Sequence, residues 1–437
     1  MHRTCPSGFS MMLALVMLAL VLAGSSPAPG AEAEKLAIRF GALIDGLGKV
    51  HRDAVVVVAK GRIEAVTPGG KGVPSGAKMI DLRRYTGLPG LIDAHTHMTF
   101  YWDRTDPAKP FAQVLGDHLP AVTVFLAQEN ARRCLESGVT TVRDLGSNEY
   151  ADIAMRDLIN KGAMIGPRMF VAGHGLHITY ASARPTSEPP FAGMADGSAA
   201  VMRVVRQEVF GAGTDVVKMF ASTGTGSDVS SHQTFTFEEI KAAVDAAHAL
   251  GVKIAVHSYG PEGARDAVRA GADSIEHATG LDDETIAEMV KKRVFYVPTI
   301  DHNRYYADNA ALFGYDVAAV TGLRAFIERN LETARRAHKA GVRFAMGSDA
   351  LFSMFGENTR ELEWFVKAGM TPQEALATAT RNAALLLGKE DELGAVAPGH
   401  YADLVAVDGD PLSDIKVVIN NVKWVMKGGA VVVDKTQ

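Results

Sequence analysis

Cysteine is nearly absent from this chain: of 437 residues only Cys5 and Cys134 carry a thiol. Cys5 falls within the segment read below as an export signal, so the mature chain would hold a single thiol and no internal disulfide. Stability must then come from an apolar core and from any bound metal. A basic excess is also missing. The 45 lysines and arginines face 50 acidic residues, for a net charge of -5, which excludes the broad cationic surface that phosphate backbones require and argues against a nucleic-acid partner. The N-terminal apolar run, residues 11–23, falls short of the roughly 20 residues of a comfortable bilayer span. It follows His2 and Arg3 and leads into small residues and prolines, the pattern of a cleaved export signal. We therefore expect residues 1–31 to be a signal peptide, the protein to be periplasmic or secreted, and no stable membrane span to remain once the signal is removed. The G-x-S-x-G elbow, the phosphate-cradling P-loop and the dinucleotide fingerprint are all absent, which disfavours serine-hydrolase and nucleotide chemistry.

What is present is a regular alternation. Eight short apolar strands can be counted between helical stretches, at 90–97, 140–146, 168–175, 215–221, 253–259, 273–279, 294–300 and 342–349. Strands alternating with helices signal βα units and a parallel sheet, and eight such units close into a (β/α)8 TIM-like barrel, here expected over residues 86–390. In one of the helices Thr236 and Glu239 form a capping-box pattern and Gly251 stands at the stop. Both ends of the chain have a different texture, β-branched runs punctuated by glycine, and we expect residues 32–85 and 391–437 to build one small β-sandwich together. The proline- and serine-rich stretch 181–200 has no periodicity and is expected as a long loop over the barrel mouth. Cys134 sits in an apolar-periodic segment and is expected to be a buried core thiol.

In such barrels the working residues lie at the C-terminal ends of different strands. His95 and His97, two apart on the first strand, point to the same side and can grip one ion together. Lys218, His257, His277 and Asp349 fall at the corresponding depth of strands four, five, six and eight. Imidazoles and carboxylates are the ligands a zinc-like ion accepts. An amine buried beside cations can lose its proton, and on adding carbon dioxide it becomes a carbamate able to bridge two ions. Singly, each of these residues admits a plainer role: His257 and His277 as core histidines, Lys218 as an ion-pair partner, Asp349 as a helix N-cap. Six of them at the ends of five strands argue together for metal.

The motifs PGLIDAHTH, VVKMFAS, VHSYG, SIEHATG and GSDA, in this order and on these strands, resemble the amidohydrolase superfamily over essentially the whole chain after the signal. The resemblance implies a binuclear metal-dependent hydrolase acting on carbon–nitrogen bonds. His95, His97 and Asp349 would hold one divalent ion and His257 and His277 the other, with an N6-carboxylated Lys218 and a hydroxide bridging them; zinc is the default metal. Asp349 would then take the proton of the attacking water and pass it to the leaving nitrogen. The sequence is most similar to the branch of Xaa-Pro dipeptidases, N-acyl amino acid hydrolases and ochratoxin-type amidases, which implies a small amide or peptide substrate, with Tyr259 contacting it. A product carboxylate would need cationic or hydrogen-bonding partners, for which His174, His177, His302 and Arg304 are candidates. The chain departs from many relatives after Ile178, where TYASA replaces a glycine- and histidine-rich run. Two other readings remain open: a cyclic-amide or imidazolone-type hydrolase using the same metals, and an exported solute-binding protein, which would leave the metal-type residues unexplained. A homo-oligomer is compatible with all of them.

Overall fold

The computed structural model describes residues 35–101, 119–179, 193–224, 226 and 228–436. The expected signal, 1–31, and most of the expected mouth loop, 181–192, lie outside the described residues. Of the rest of that loop, Ser198 already opens the helix Ser198–Arg206, so the irregular stretch ends earlier than its composition suggests.

The chain begins with four strands, β1 (Leu36–Ile44), β2 (Val50–Ala59), β3 (Arg62–Thr67) and β4 (Lys78–Pro89). Eight shorter strands follow: β5 (Leu91–Thr96), β6 (Val139–Asp144), β7 (Arg168–Val171), β8 (Val216–Phe220), β9 (Lys253–Ser258), β10 (Ser274–His277), β11 (Phe295–Val297) and β12 (Arg343–Phe344). The chain closes with β13 (Leu404–Val407), β14 (Val422–Lys427) and β15 (Ala430–Asp434).

The eight middle strands pair in parallel as β5-β6-β7 and β8-β9-β10-β11-β12. Two parallel bridges, Leu176 with Met219 and Thr96 with Ala350, join these two runs at either end and close the ring. All eight expected strands are found. Those expected at 168–175, 273–279, 294–300 and 342–349 are markedly shorter than their apolar runs, because the chain leaves the ladder early to build the mouth. Parallel strands covered by helices are buried on both faces, which explains why β5, β6, β10 and β11 read as continuous runs of buried residues. The helix Phe237–Ala249 carries the expected capping box: Thr236 Oγ1 accepts from the Glu239 amide and Glu239 accepts from the Thr236 amide.

The two ends of the chain form the β-sandwich domain. Its strands follow one order, β15-β14-β13-β4-β1-β2-β3, with β1 and β4 parallel and the other pairs antiparallel. Apolar side chains from opposite ends of that order, Ile63 and Val56 from one and Trp424 and Met426 from the other, meet in a single buried cluster. Cys134 is a free thiol fully buried in the barrel's outer core, as expected.

Candidate metal centre

Strand β5 delivers His95 and, one residue past its end, His97. Their side chains emerge on the same side, with ring centroids 5.5 Å apart, and both Nε2 atoms face Asp349 Oδ1, at 3.4 Å from His95 and 3.2 Å from His97. The three ligand atoms lie within 4.8 Å of one another, close enough to hold a metal ion. His95 is followed in space by His277 at 5.1 Å between ring centroids, and His277 by His257 at 4.6 Å. Lys218, in the middle of β8, brings Nζ to 3.4 Å from His95 Nε2. The six residues singled out from the sequence are therefore brought together at one end of the ring.

The local backbone explains how. His277 and Asp349 both adopt positive φ, 72° and 52°, a conformation that side chains avoid unless the surroundings impose it and that clusters at functional sites. Asp349 is not a helix N-cap; its amide donates to the His95 carbonyl at 2.7 Å, fixing the turn after β12 against β5. Gly175 and Gly347 let neighbouring side chains approach. A Cβ on Gly175 would lie 3.2 Å from Lys218 Cγ, and one on Gly347 2.8 Å from His95 Cβ.

Burial sets the charge states. It pushes His257 and His277 well below the usual imidazole range and His95 down to about 4, in the last case with Lys218 adding to the effect. Neutral imidazoles are the form that binds metal. Burial also lowers Lys218 to about 8, against the pull of Glu276 and Asp349. For Asp349 burial opposes the charge, but His302, His95 and His97 outweigh it and hold the carboxyl well below its ordinary value. The donor set fits a divalent cation. Nitrogen donors and a charged oxygen converge on one space, and the buried Nε2 of His257 has no hydrogen-bond partner among the described residues.

The residues expected to contact substrate divide. Tyr259 is buried at the rim, its ring stacked on His257 at 5.1 Å and edge-on to His277 at 5.0 Å. His174 follows β7, packed against Tyr150 at 4.1 Å between rings and 3.5 Å from Glu208. His177 directs Nδ1 to the Gly175 carbonyl at 2.9 Å. His302 is engaged by Asp349 itself: Nδ1 bonds the Asp349 carbonyl at 2.8 Å and Nε2 lies 3.3 Å from Oδ2. Arg304 is taken up by Asp301, Asp308 and Glu357, so its guanidinium serves structure rather than an incoming carboxylate.

Several residues that sequence reasoning passed over support the cluster. Glu276 accepts from His95 Nδ1 at 2.8 Å and from Arg143 at 2.9 Å. Asp93 accepts from the His95 and Ser348 amides, the Ser348 hydroxyl and Asn358, tying β5 to the turn that bears Asp349; burial raises its carboxyl to about 6. Thr299, itself at positive φ, meets His277 Nδ1 at 2.7 Å. A charged residue inside a barrel strand, as in SIEH and TTVRD, was the available signal, since such side chains are seldom fully buried without a partner.

Comparison with known proteins gives a consistent picture. The Amidohydrolase family matches residues 86–432. Ochratoxinase from Aspergillus niger is 30% identical over 430 residues, covering 91% of this chain and 86% of that protein. The crystal structure of a Xaa-Pro dipeptidase with methionine bound in its active site superposes with a TM-score of 0.82 at 33% identity, over 91% of this chain and 99% of the other. Imidazolonepropionase from Streptomyces coelicolor is 27% identical over 390 residues, 82% of this chain and 86% of that protein.

Proposed function

Since the chain belongs to the amidohydrolase family and is a hydrolase of carbon–nitrogen bonds, we propose that it cleaves the amide or peptide bond of a small substrate, a dipeptide or an N-acyl amino acid, with two divalent ions. His95, His97 and Asp349 would hold one ion and His257 and His277 the other, with Lys218, carboxylated on Nζ, shared between them; zinc suits this ligand set. The observation that carries the reading is the convergence of four imidazoles, one amine and one carboxylate from five strands onto a single buried space. When bound, the ions supply a water acidified to near neutrality and polarise the substrate carbonyl.

The chain's own residues do the rest. Asp349 is kept charged and oriented by His97 and His302, so it can accept a proton from the attacking water and return it to the departing nitrogen. Lys218, lowered by burial to about 8, has a larger neutral fraction near neutral pH than an ordinary lysine, and that fraction can add carbon dioxide; an N–C bond forms and a proton leaves. Tyr259 and His174 are the residues we propose for binding a substrate carboxylate. The similarity to a Xaa-Pro dipeptidase and to ochratoxinase supports the dipeptide or N-acyl amino acid reading. The similarity to imidazolonepropionase favours a second, hydrolysis of a cyclic amide at the same ions. We further propose that the first residues direct export of the enzyme.

A metal count on the purified protein, joined to a screen of dipeptides and N-acyl amino acids varied at the C-terminal residue, tests this. About two ions per chain and turnover of at least one such substrate are expected. Two ions with turnover only of cyclic amides would move the assignment to the second reading. Asp349→Asn should lower kcat by about 10²–10⁴-fold with the fold retained, and a near-normal kcat in that variant would remove the proton-transfer role.

A further inference from the structure

Below the metal-type residues the barrel interior holds a buried ion pair that none of the chemistry above uses. Arg143 of β6 and Glu276 of β10 are both essentially inaccessible, at 1% and 0% exposure. Arg143 spans three strands: Nε donates to the Ala94 carbonyl of β5 at 2.6 Å, Nη1 to Ser274 Oγ at 2.9 Å and Nη2 to Glu276 Oε1 at 2.9 Å. Ser274 donates to the same Oε1. The other carboxylate oxygen, Oε2, is left to His95 Nδ1 at 2.8 Å.

We infer that Glu276, anchored by Arg143, is a positioning residue that locks His95 in the tautomer whose Nε2 lone pair faces the metal space. This rests on the two-ion reading above. A carboxylate beside an arginine only accepts hydrogen bonds, so His95 Nδ1 must carry the proton and Nε2 must be the acceptor. Nε2 then faces the metal space, where Lys218 Nζ and Asp349 Oδ1 each lie 3.4 Å from it. Outer partners of this kind fix the ring orientation and raise the basicity of a ligating imidazole.

Glutamine at this position has one acceptor oxygen for two sets of donors. In Glu276→Gln, Arg143 and Ser274 take the oxygen, the amide NH2 turns to His95 Nδ1, and the tautomer reverses, leaving Nε2 protonated. In the double variant Glu276→Gln/Arg143→Met the guanidinium is gone, the Ser274 hydroxyl can turn to accept from the glutamine NH2, and the glutamine oxygen can return to His95. The test measures metal affinity of the full chain by competition with a chelator, together with the visible spectrum of the cobalt-loaded protein and its Tm.

Glu276→Gln is expected to lose about 10–100-fold in metal affinity, with an altered cobalt spectrum, and the double variant to regain most of that affinity. Affinity within about twofold of wild type in Glu276→Gln would overturn the inference, as would equal loss in both variants with Tm unchanged. If Glu276→Gln does not fold, the wild-type protein decides: a nitrogen-15 histidine spectrum of the metal-loaded enzyme must show His95 protonated at Nδ1, and protonation at Nε2 overturns the claim. A wild-type chain that binds no metal would instead count against the two-ion reading, leaving the tautomer of His95 to be read directly from the same spectrum.

Discussion

Gly347 approaches the site from behind. A Cβ there would lie 2.4 Å from Val297 Cγ1 and 2.8 Å from His95 Cβ, so Gly347→Ala must push β5 or β11 away from the centre. Overpacking of this kind costs about 1–3 kcal/mol, and the larger effect should fall on His95. We expect the variant to lose metal at a chelator concentration that leaves wild type loaded, and unchanged occupancy would show that the glycine only fills space. At this scale the ligand-type residues were legible because each sits at a strand end and carries chemistry no core needs. Their supports were not. Glu276 and Arg143 lie 133 positions apart, and only the closed ring makes them neighbours. His302 and Arg304 read as substrate contacts because a histidine and an arginine after a strand suggest a carboxylate partner; in the fold the protein supplies the carboxylates itself, Asp349 to one and Asp301, Asp308 and Glu357 to the other.

Among the elements, periodicity found every barrel strand but markedly overstated the length of four, since an apolar run does not reveal where a chain turns off the ladder toward the mouth. The capping box at Thr236 was legible because both of its hydrogen bonds are local. Lys427, on β14, shows what the terminal strands conceal from a sequence reading. Burial, helped by Arg168, lowers its ammonium from 10.5 to about 8. Between those values the unfolded chain holds a proton that the folded chain lacks, so stability rises with pH across that window; below about 8 both states are protonated and the full penalty of burying the charge remains. Lys427→Met should therefore be more stable than wild type at pH 7, by about 1–3 kcal/mol after allowance for residual solvent screening. The advantage should shrink as pH rises from 8 toward 10.5. Chemical denaturation of both proteins at several pH values checks this, and a constant difference would show that the lysine is not penalised by burial.

At the scale of the whole molecule, the barrel draws its closure from two bridges and its terminal domain from both ends of the chain. That both ends share one domain was legible in their common strand-and-glycine texture. The order of the seven strands was not, because the parallel neighbours β1 and β4 are separated by the antiparallel excursion through β2 and β3. No helix among the described residues is long and apolar enough to cross a membrane. The same ring brings Lys218 Nζ to 3.4 Å from His95 Nε2, and the proposed chemistry depends on Lys218 being shared between the two ions. Anomalous diffraction at the metal absorption edge, from crystals of protein purified without chelator, addresses it directly. The account predicts two metal peaks, one against His95, His97 and Asp349 and one against His257 and His277, with carboxylate density extending from Lys218 Nζ to both. A single peak, or two peaks with a bare Lys218 amine between them, would contradict it.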